Sequence, residues 1–115
     1  MLIHGRAQGA AQAIEDAGTL TVLFQDLKLK EDVPDILRTY EQIRKLRTTR
    51  LLKESIAFRT LCQVEDGPEQ GIRDLKLLEE VPSTGCANRW ADPGFQRWLW
   101  GHDVEEAVRL YKHHQ

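Results

Sequence analysis

Val33-Pro34-Asp35-Ile36-Leu37-Arg38-Thr39-Tyr40-Glu41-Gln42-Ile43-Arg44-Lys45-Leu46-Arg47, continuing through Leu51, Leu52, Ile56 and Leu61, decides the fold class of this chain. The apolar positions Val33, Ile36, Leu37, Tyr40, Ile43 and Leu46 step by three and four, which is the beat of a helix and not of a strand. No Gly or Pro interrupts the run between Pro34 and Gly67. Asp32 is placed to cap the helix, Pro34 sits in the first turn where a missing N–H costs nothing, and Glu31 and Asp35 suit the positive end of the dipole. A helix from about Pro34 to Leu61 measures roughly 42 Å at 1.5 Å per residue. That length suits a helix lying across a larger body or a second chain. Its basic residues Arg38, Arg44, Lys45, Arg47, Arg50 and Lys53 read as a solvated polar face, with phosphate contact as the alternative.

Working outward, Ala10, Ala13, Ile14, Ala17, Leu20 and Phe24 keep helical spacing and predict a helix from about Gly9 to Leu27. Gly18 inside it costs roughly 1 kcal/mol relative to Ala and predicts close approach of another backbone. Thr19 to Phe24 is the one stretch with strand-like residues, and it continues the helical pattern without a turn. On the other side, Glu65-Asp66-Gly67-Pro68 reads as a turn and Pro68 as the start of a third helix ending at Glu79 or Glu80. Val81 to Asn88 is a loop. Trp90, Phe95, Trp98 and Trp100 crowd eleven residues and read as a packing plug. A last helix, capped by Asp103, runs to about His114. The fold class is mostly α, with four to five helices of which one is long.

The chain has 115 residues, 41% of them hydrophobic, with 16 Lys and Arg against 18 Asp and Glu and a net charge of -2. Such a composition belongs to a folding chain, not a disordered one, and its charge supplies no field for holding nucleic acid or an anionic membrane. The expectations are therefore no nucleic acid and no membrane partner, a cytoplasmic location, and no signal peptide or membrane span. Cys62 and Cys86 lack a CxxC or a His at ligand spacing, so no metal site and no disulfide framework is expected. GxGxxG, GxxxxGK, HExxH and GxSxG are all missing from the sequence. Glu15-Asp16, Glu79-Glu80 and Glu105-Glu106 are helix neighbours pointing about 100° apart, not facing acid–base pairs, and no catalytic residue is expected.

One segment points to a ligand. Gln8-Gly9-Ala10-Ala11-Gln12 puts glycine and small residues at a helix start, where free backbone N–H groups and the positive dipole end meet whatever approaches. The alternative is a plain tight helix start.

The run Arg6-Ala7-Gln8-Gly9-Ala10-Ala11-Gln12-Ala13-Ile14-Glu15-Asp16-Ala17 resembles the segment that follows the Gly-Asp flavin motif of FAD-dependent aromatic-ring monooxygenases, in particular the salicylate-hydroxylase-like group. Tyr40-Glu41-Gln42-Ile43-Arg44-Lys45-Leu46-Arg47 is similar to the Tyr-Glu-x-x-Arg-x-x-Arg helix of that family. Asp66-Gly67-Pro68-Glu69-Gln70, Arg73-Asp74, Trp90-Ala91-Asp92-Pro93, Phe95-Gln96-Arg97-Trp98-Leu99 and Gly101-His102-Asp103 extend the likeness over nearly the whole chain. Leu2-Ile3-His4-Gly5-Arg6 departs from the family pattern: it lacks a proline and carries one extra residue.

The resemblance implies the C-terminal helical part of a flavoprotein monooxygenase fold, residues 1–115 being a C-terminal fragment of the FAD-binding monooxygenase domain. Residues 1–27 would form a flavin-facing loop and helix, 32–63 the long helix, and 68–115 the C-terminal helices and Trp-rich segment. It implies FAD as cofactor, not held tightly by this chain alone. Gln8, Gly9, Ala10 and Ala11 would be the cofactor-binding residues, and the backbone of Gly9 to Ala11 would face the pyrimidine edge of the isoalloxazine. The implied chemistry is hydroxylation of an aromatic ring with NAD(P)H and dioxygen. The implied partners are N-terminal flavin-binding and substrate domains, in the same or another chain. The competing reading is a non-enzymatic helical interaction module, or a truncated paralogue, packing on a partner through the long helix and the Trp-rich tail.

Overall fold

The computed structural model of the chain describes residues 8–78 and 81–115. In order along the chain are α1 (Gly9–Phe24), a 3-10 turn (Lys30–Asp32), α2 (Val33–Cys62), α3 (Pro68–Leu77), α4 (Pro93–Trp100) and α5 (Val104–His113). Among the described residues there is no strand, and the expected helical class with one long helix is what forms. The described chain divides into two compact units, one of residues up to Ser55 together with Asp103–Gln115, the other Ile56–His102.

In the first unit α1 packs on α5, and Thr19, Leu23, Leu51 and Val108 are buried. In the Thr-containing second half of α1, Thr19 and Thr21 each turn the hydroxyl inward and donate it to a carbonyl four residues back, Glu15 O and Ala17 O, both at 2.8 Å. Gly18 meets no backbone, contrary to expectation. A Cβ built there lies 3.4 Å from Val104 Cγ2, an ordinary contact. Gly18→Ala should therefore raise stability by about 0.5–1 kcal/mol through helix propensity alone, measured as a higher urea midpoint at unchanged slope.

The entry to α2 also differs from the expected N-cap. Asp32 closes the 3-10 turn, its Oδ2 accepting from Leu29 N–H at 3.2 Å, and the chain runs from that turn directly into α2. α5 starts as expected, with Asp103 Oδ1 accepting from the N–H groups of Glu105 (2.9 Å) and Glu106 (3.0 Å).

In the second unit Arg73 of α3 donates to the carbonyls of Leu61 (3.3 Å) and Cys62 (3.4 Å), supplying a cation to the negative end of α2. α3 ends at Leu77, short of the expected Glu79 or Glu80, which lie outside the described residues. Buried Phe95 and Leu99 form the core of α4. Phe95 stacks on Trp98 with ring centroids 5.7 Å apart, and Trp90 lies 6.4 Å from Trp100.

Buried Asp92 organises the preceding loop. Its carboxylate accepts from Gly85 N–H (2.8 Å), Gly94 N–H (2.8 Å), Phe95 N–H (3.1 Å) and Arg89 (2.6 Å). The bond from Gly85, with those from Phe95 and Gly94 and the charge of Arg89, outweighs burial and holds the Asp92 carboxyl below its ordinary value. A carboxyl whose pKa is depressed on folding contributes stability that is present above its unfolded value near 4 and is lost as pH falls through the folded value. Asp92→Asn should lower the melting midpoint at neutral pH and flatten the loss of stability below about pH 4, as followed by circular dichroism; an unchanged acid limb would contradict this role.

Candidate functional site

The start of α1 is built as an open donor surface. Gln8 stands at the N-cap with helical backbone angles (φ -91°, ψ -2°), and its side chain makes no capping bond. The first intrahelical bond runs from Gln12 N–H to Gln8 O at 2.8 Å, so the N–H groups of Gly9, Ala10 and Ala11 lie ahead of the ladder and need partners from elsewhere. No acidic side chain occupies the first turn to offset the positive dipole end. Gly9 and Ala10 are exposed, Gln8 and Ala11 half-buried, and a Cβ built on Gly9 meets no atom of the described residues within 4 Å. All four expected binding residues thus share one helix end, with no described residue over the glycine.

Directly behind this turn lies a buried ionic network that joins α1 to α2. Arg44 donates Nε to Asp16 Oδ1 (2.5 Å), Nη1 to Glu15 Oε2 (2.8 Å) and Nη2 to Gln12 Oε1 (2.7 Å). Arg47 grips Glu15 with two nitrogens, Nε to Oε2 at 2.6 Å and Nη2 to Oε1 at 2.8 Å. The side chains of Arg44 and Arg47 are 5% and 7% exposed, which overturns their assignment to a solvated face. Two guanidiniums against Glu15 and Asp16 balance the buried charge, and the donor fork of arginine suits such bidentate contacts. Burial first, and then the Asp16 carboxylate as charge and hydrogen-bond partner, raise the Tyr40 phenol above its ordinary value, with Arg44 opposing.

A sequence signal for this network did exist. Tyr40, Arg44, Arg47, Leu51 and Ser55 form one helical stripe, and Arg44, Arg47, Leu51 and Ser55 are its buried positions. Leu46, off that stripe, is 78% exposed although it keeps the apolar helical beat of the run. Gln12 was missed as well. It is 2% exposed, and while Oε1 is held by Arg44, its Nε2 is buried with no hydrogen-bond partner.

A separate open hollow of about 340 Å³ in the same unit is bordered by Asp26, Asp32, Asp35 and Tyr111. Its carboxylates already have partners in Lys112 (2.6 Å), Leu29 N–H and Arg38 (2.5 Å). Among the described residues no group of three or more His, Cys, Asp or Glu could hold a metal ion, and no helix is long and apolar enough to cross a membrane. The departure at Leu2–Arg6 lies outside the described residues.

No protein-family model matches the chain. Known proteins do. It is 34% identical over 99 residues to the FAD-dependent monooxygenase OpS4 of Beauveria bassiana, an alignment covering 85% of this chain and 23% of that protein. It is 33% identical over 110 residues to the 6-methylsalicylate 1-monooxygenase atA of Aspergillus terreus, covering 90% of this chain and 21% of that protein. Asperlicin C monooxygenase of Petromyces alliaceus is 35% identical over 98 residues, 85% of this chain and 18% of that protein. This chain belongs to the FAD-dependent monooxygenase family. It spans about a fifth of the length of the curated relatives it matches, the share that fits a C-terminal portion of such a monooxygenase. Within a monooxygenase of that length, the open helix start and the network behind it belong to this portion.

Proposed function

We propose that these 115 residues supply one wall of the flavin site of an FAD-dependent monooxygenase that hydroxylates an aromatic ring with NAD(P)H and dioxygen. The observation that carries this reading is the uncapped start of α1, where the N–H groups of Gly9, Ala10 and Ala11 precede the helical ladder and no described residue lies within 4 Å of a Cβ built on Gly9. An array of donors at a positive helix end fits the electron-rich edge of a flat heterocycle, and Gly9 leaves room for the ring to come close. FAD, when bound, supplies the redox chemistry. The backbone of Gly9 to Ala11 would hold the pyrimidine edge of the ring, with Gln8 beside it. The positive helix end would favour the added negative charge of the reduced state. The aromatic substrate is supported by the relative whose name specifies 6-methylsalicylate. Adenine, pyrophosphate, NAD(P)H and substrate would be held by the four-fifths of the family's length that lies outside this portion.

A helix end contributes about 1–2 kcal/mol toward a charged group, whereas micromolar binding needs about 8 kcal/mol. The 115-residue chain alone should therefore purify colourless and leave NAD(P)H unoxidised. Joined to the remainder of the Beauveria bassiana relative in place of that protein's own matching segment, it should retain FAD, seen as flavin absorbance after gel filtration. Yellow protein from the short chain, or a folded chimera that holds no flavin, would contradict the proposal.

A further inference from the structure

α3 is turned with its apolar side outward. Pro68, Ile72, Leu75 and, just past the helix, Leu78 recur at three- and four-residue spacing and so share one side. Another side carries Arg73, whose guanidinium bonds the carbonyls of Leu61 and Cys62 and the carboxylate of Asp74 (2.7 Å), leaving its side chain 16% exposed. That anchor fixes the rotation of the helix, since Leu75, two residues on, lies about 200° around the axis from Arg73. Ile72, Leu75 and Leu78 are accordingly 56%, 72% and 74% exposed, and α3 buries none of its residues. A helix of this length draws its stability from packing an apolar face, and here that face is open. Gly71 lies in the same stripe, and a Cβ built there meets no atom of the described residues within 4 Å.

Length, area and charge select what covers it. The likeness to the OpS4 and Asperlicin C monooxygenases takes in 85% of this chain, so α3 lies inside the matched span wherever that span starts, and the span is 23% and 18% of those proteins. The stripe offers at most about 400 Å² of apolar surface, half of the roughly 800 Å² that each partner contributes to a stable interface between separate molecules. A contact within one polypeptide has no such requirement, because linkage removes most of the entropy lost on association. Glu69 and Asp74 accompany Lys76 and the engaged Arg73, so the helix lacks the cationic excess of one that lies on lipid. We infer that the Ile72–Leu75–Leu78 side of α3 is an intramolecular docking face, seated on an apolar surface of the N-terminal four-fifths of the monooxygenase. Gly71 lets that surface approach the helix backbone. The inference rests on family membership and on no flavin contact.

The test places a thiol on the face by Leu75→Cys and, as control, off the stripe by Glu69→Cys, each in the 115-residue chain and in the chimera described above. Both positions are exposed in the 115-residue chain, so both thiols should react readily with iodoacetamide there, the labelled peptide being identified by mass spectrometry. In the chimera Leu75→Cys should react about tenfold more slowly or less, since a covered thiol reacts only on local opening, while Glu69→Cys keeps its rate. Leu75→Glu is the second arm. It should leave the circular dichroism of the 115-residue chain unchanged and cut the yield of folded chimera, because the carboxylate would be buried without a partner. Equal rates for Leu75→Cys in the two proteins, or equal slowing of both thiols, would overturn the inference. Protection in the 115-residue chain that grows with its own concentration would assign the face to a second copy, and protection seen only with added phosphatidylserine vesicles would assign it to lipid; either overturns the inference too. A chimera that fails to fold where the Beauveria bassiana protein folds shows that the face does not fit that remainder, with the same consequence. Flavin content enters none of these readouts: a colourless, folded chimera with a protected Leu75→Cys overturns the flavin reading and supports this one.

Discussion

Glu15→Ala should cost the chain about 3–5 kcal/mol, because it strips the shared partner from two buried guanidiniums at once. Asp16 is already engaged by Arg44 Nε, and the Glu15 carboxylate is the one seen to bridge Arg44 and Arg47. A chain of this length is stable by about 6–17 kcal/mol in total, so the loss is a large share of what holds α1 on α2. The matched control is Glu106→Ala on α5, where an exposed pair with Arg109 at 2.5 Å is removed; that change should cost under about 1 kcal/mol. Urea denaturation of the three proteins measures both. Equal midpoints for Glu15→Ala and Glu106→Ala would show that the buried network does not anchor α1.

The same network marks the boundary of what the residues disclose in isolation. Helix positions are legible because apolar spacing, Gly67-Pro68 and the Asp103 cap are local signals, and a helix needs only local bonds to be specified. Burial of Arg44 and Arg47 is not local. It depends on Glu15 and Asp16, some 30 residues away, arriving on the same face, and a periodicity read from polarity assigns such arginines to solvent. Leu46 errs in the opposite direction for the same reason: a run with both Leu and Arg at helical spacing contains two candidate stripes, and the tertiary partner chooses between them. The helix start proposed to face the cofactor is legible in part. Glycine and small residues at a helix start announce room and free N–H groups, but the orphaned amide of Gln12 becomes visible only once Arg44 is seen to occupy its oxygen.

Gly9→Val should abolish or strongly weaken flavin retention while leaving the fold alone. The contrast follows from the space around the residue. A Cβ at position 9 meets no atom of the described residues within 4 Å, so nothing described in the chain itself requires glycine there. A valine would instead project its two methyl groups into the space reserved for the ring edge. Overpacking of that kind costs about 1–3 kcal/mol, or roughly 5- to 150-fold in affinity. The thermal midpoint of the 115-residue chain should be unchanged by the substitution, and the chimera carrying it should emerge from gel filtration largely colourless. Full flavin content in Gly9→Val would mean that the cofactor does not approach this turn.

The claim that the first turn of α1 faces the flavin is tested most directly by amide hydrogen exchange on the chimera, with FAD and after its removal. The N–H groups of Gly9, Ala10 and Ala11 precede the first helical bond, which is made by Gln12, and should exchange rapidly without cofactor. Loading FAD should slow exchange at these three amides, with Gln12 and the following turns, already bonded within the helix, changing little. Protection elsewhere in the protein with no change at Gly9 to Ala11 would contradict the account.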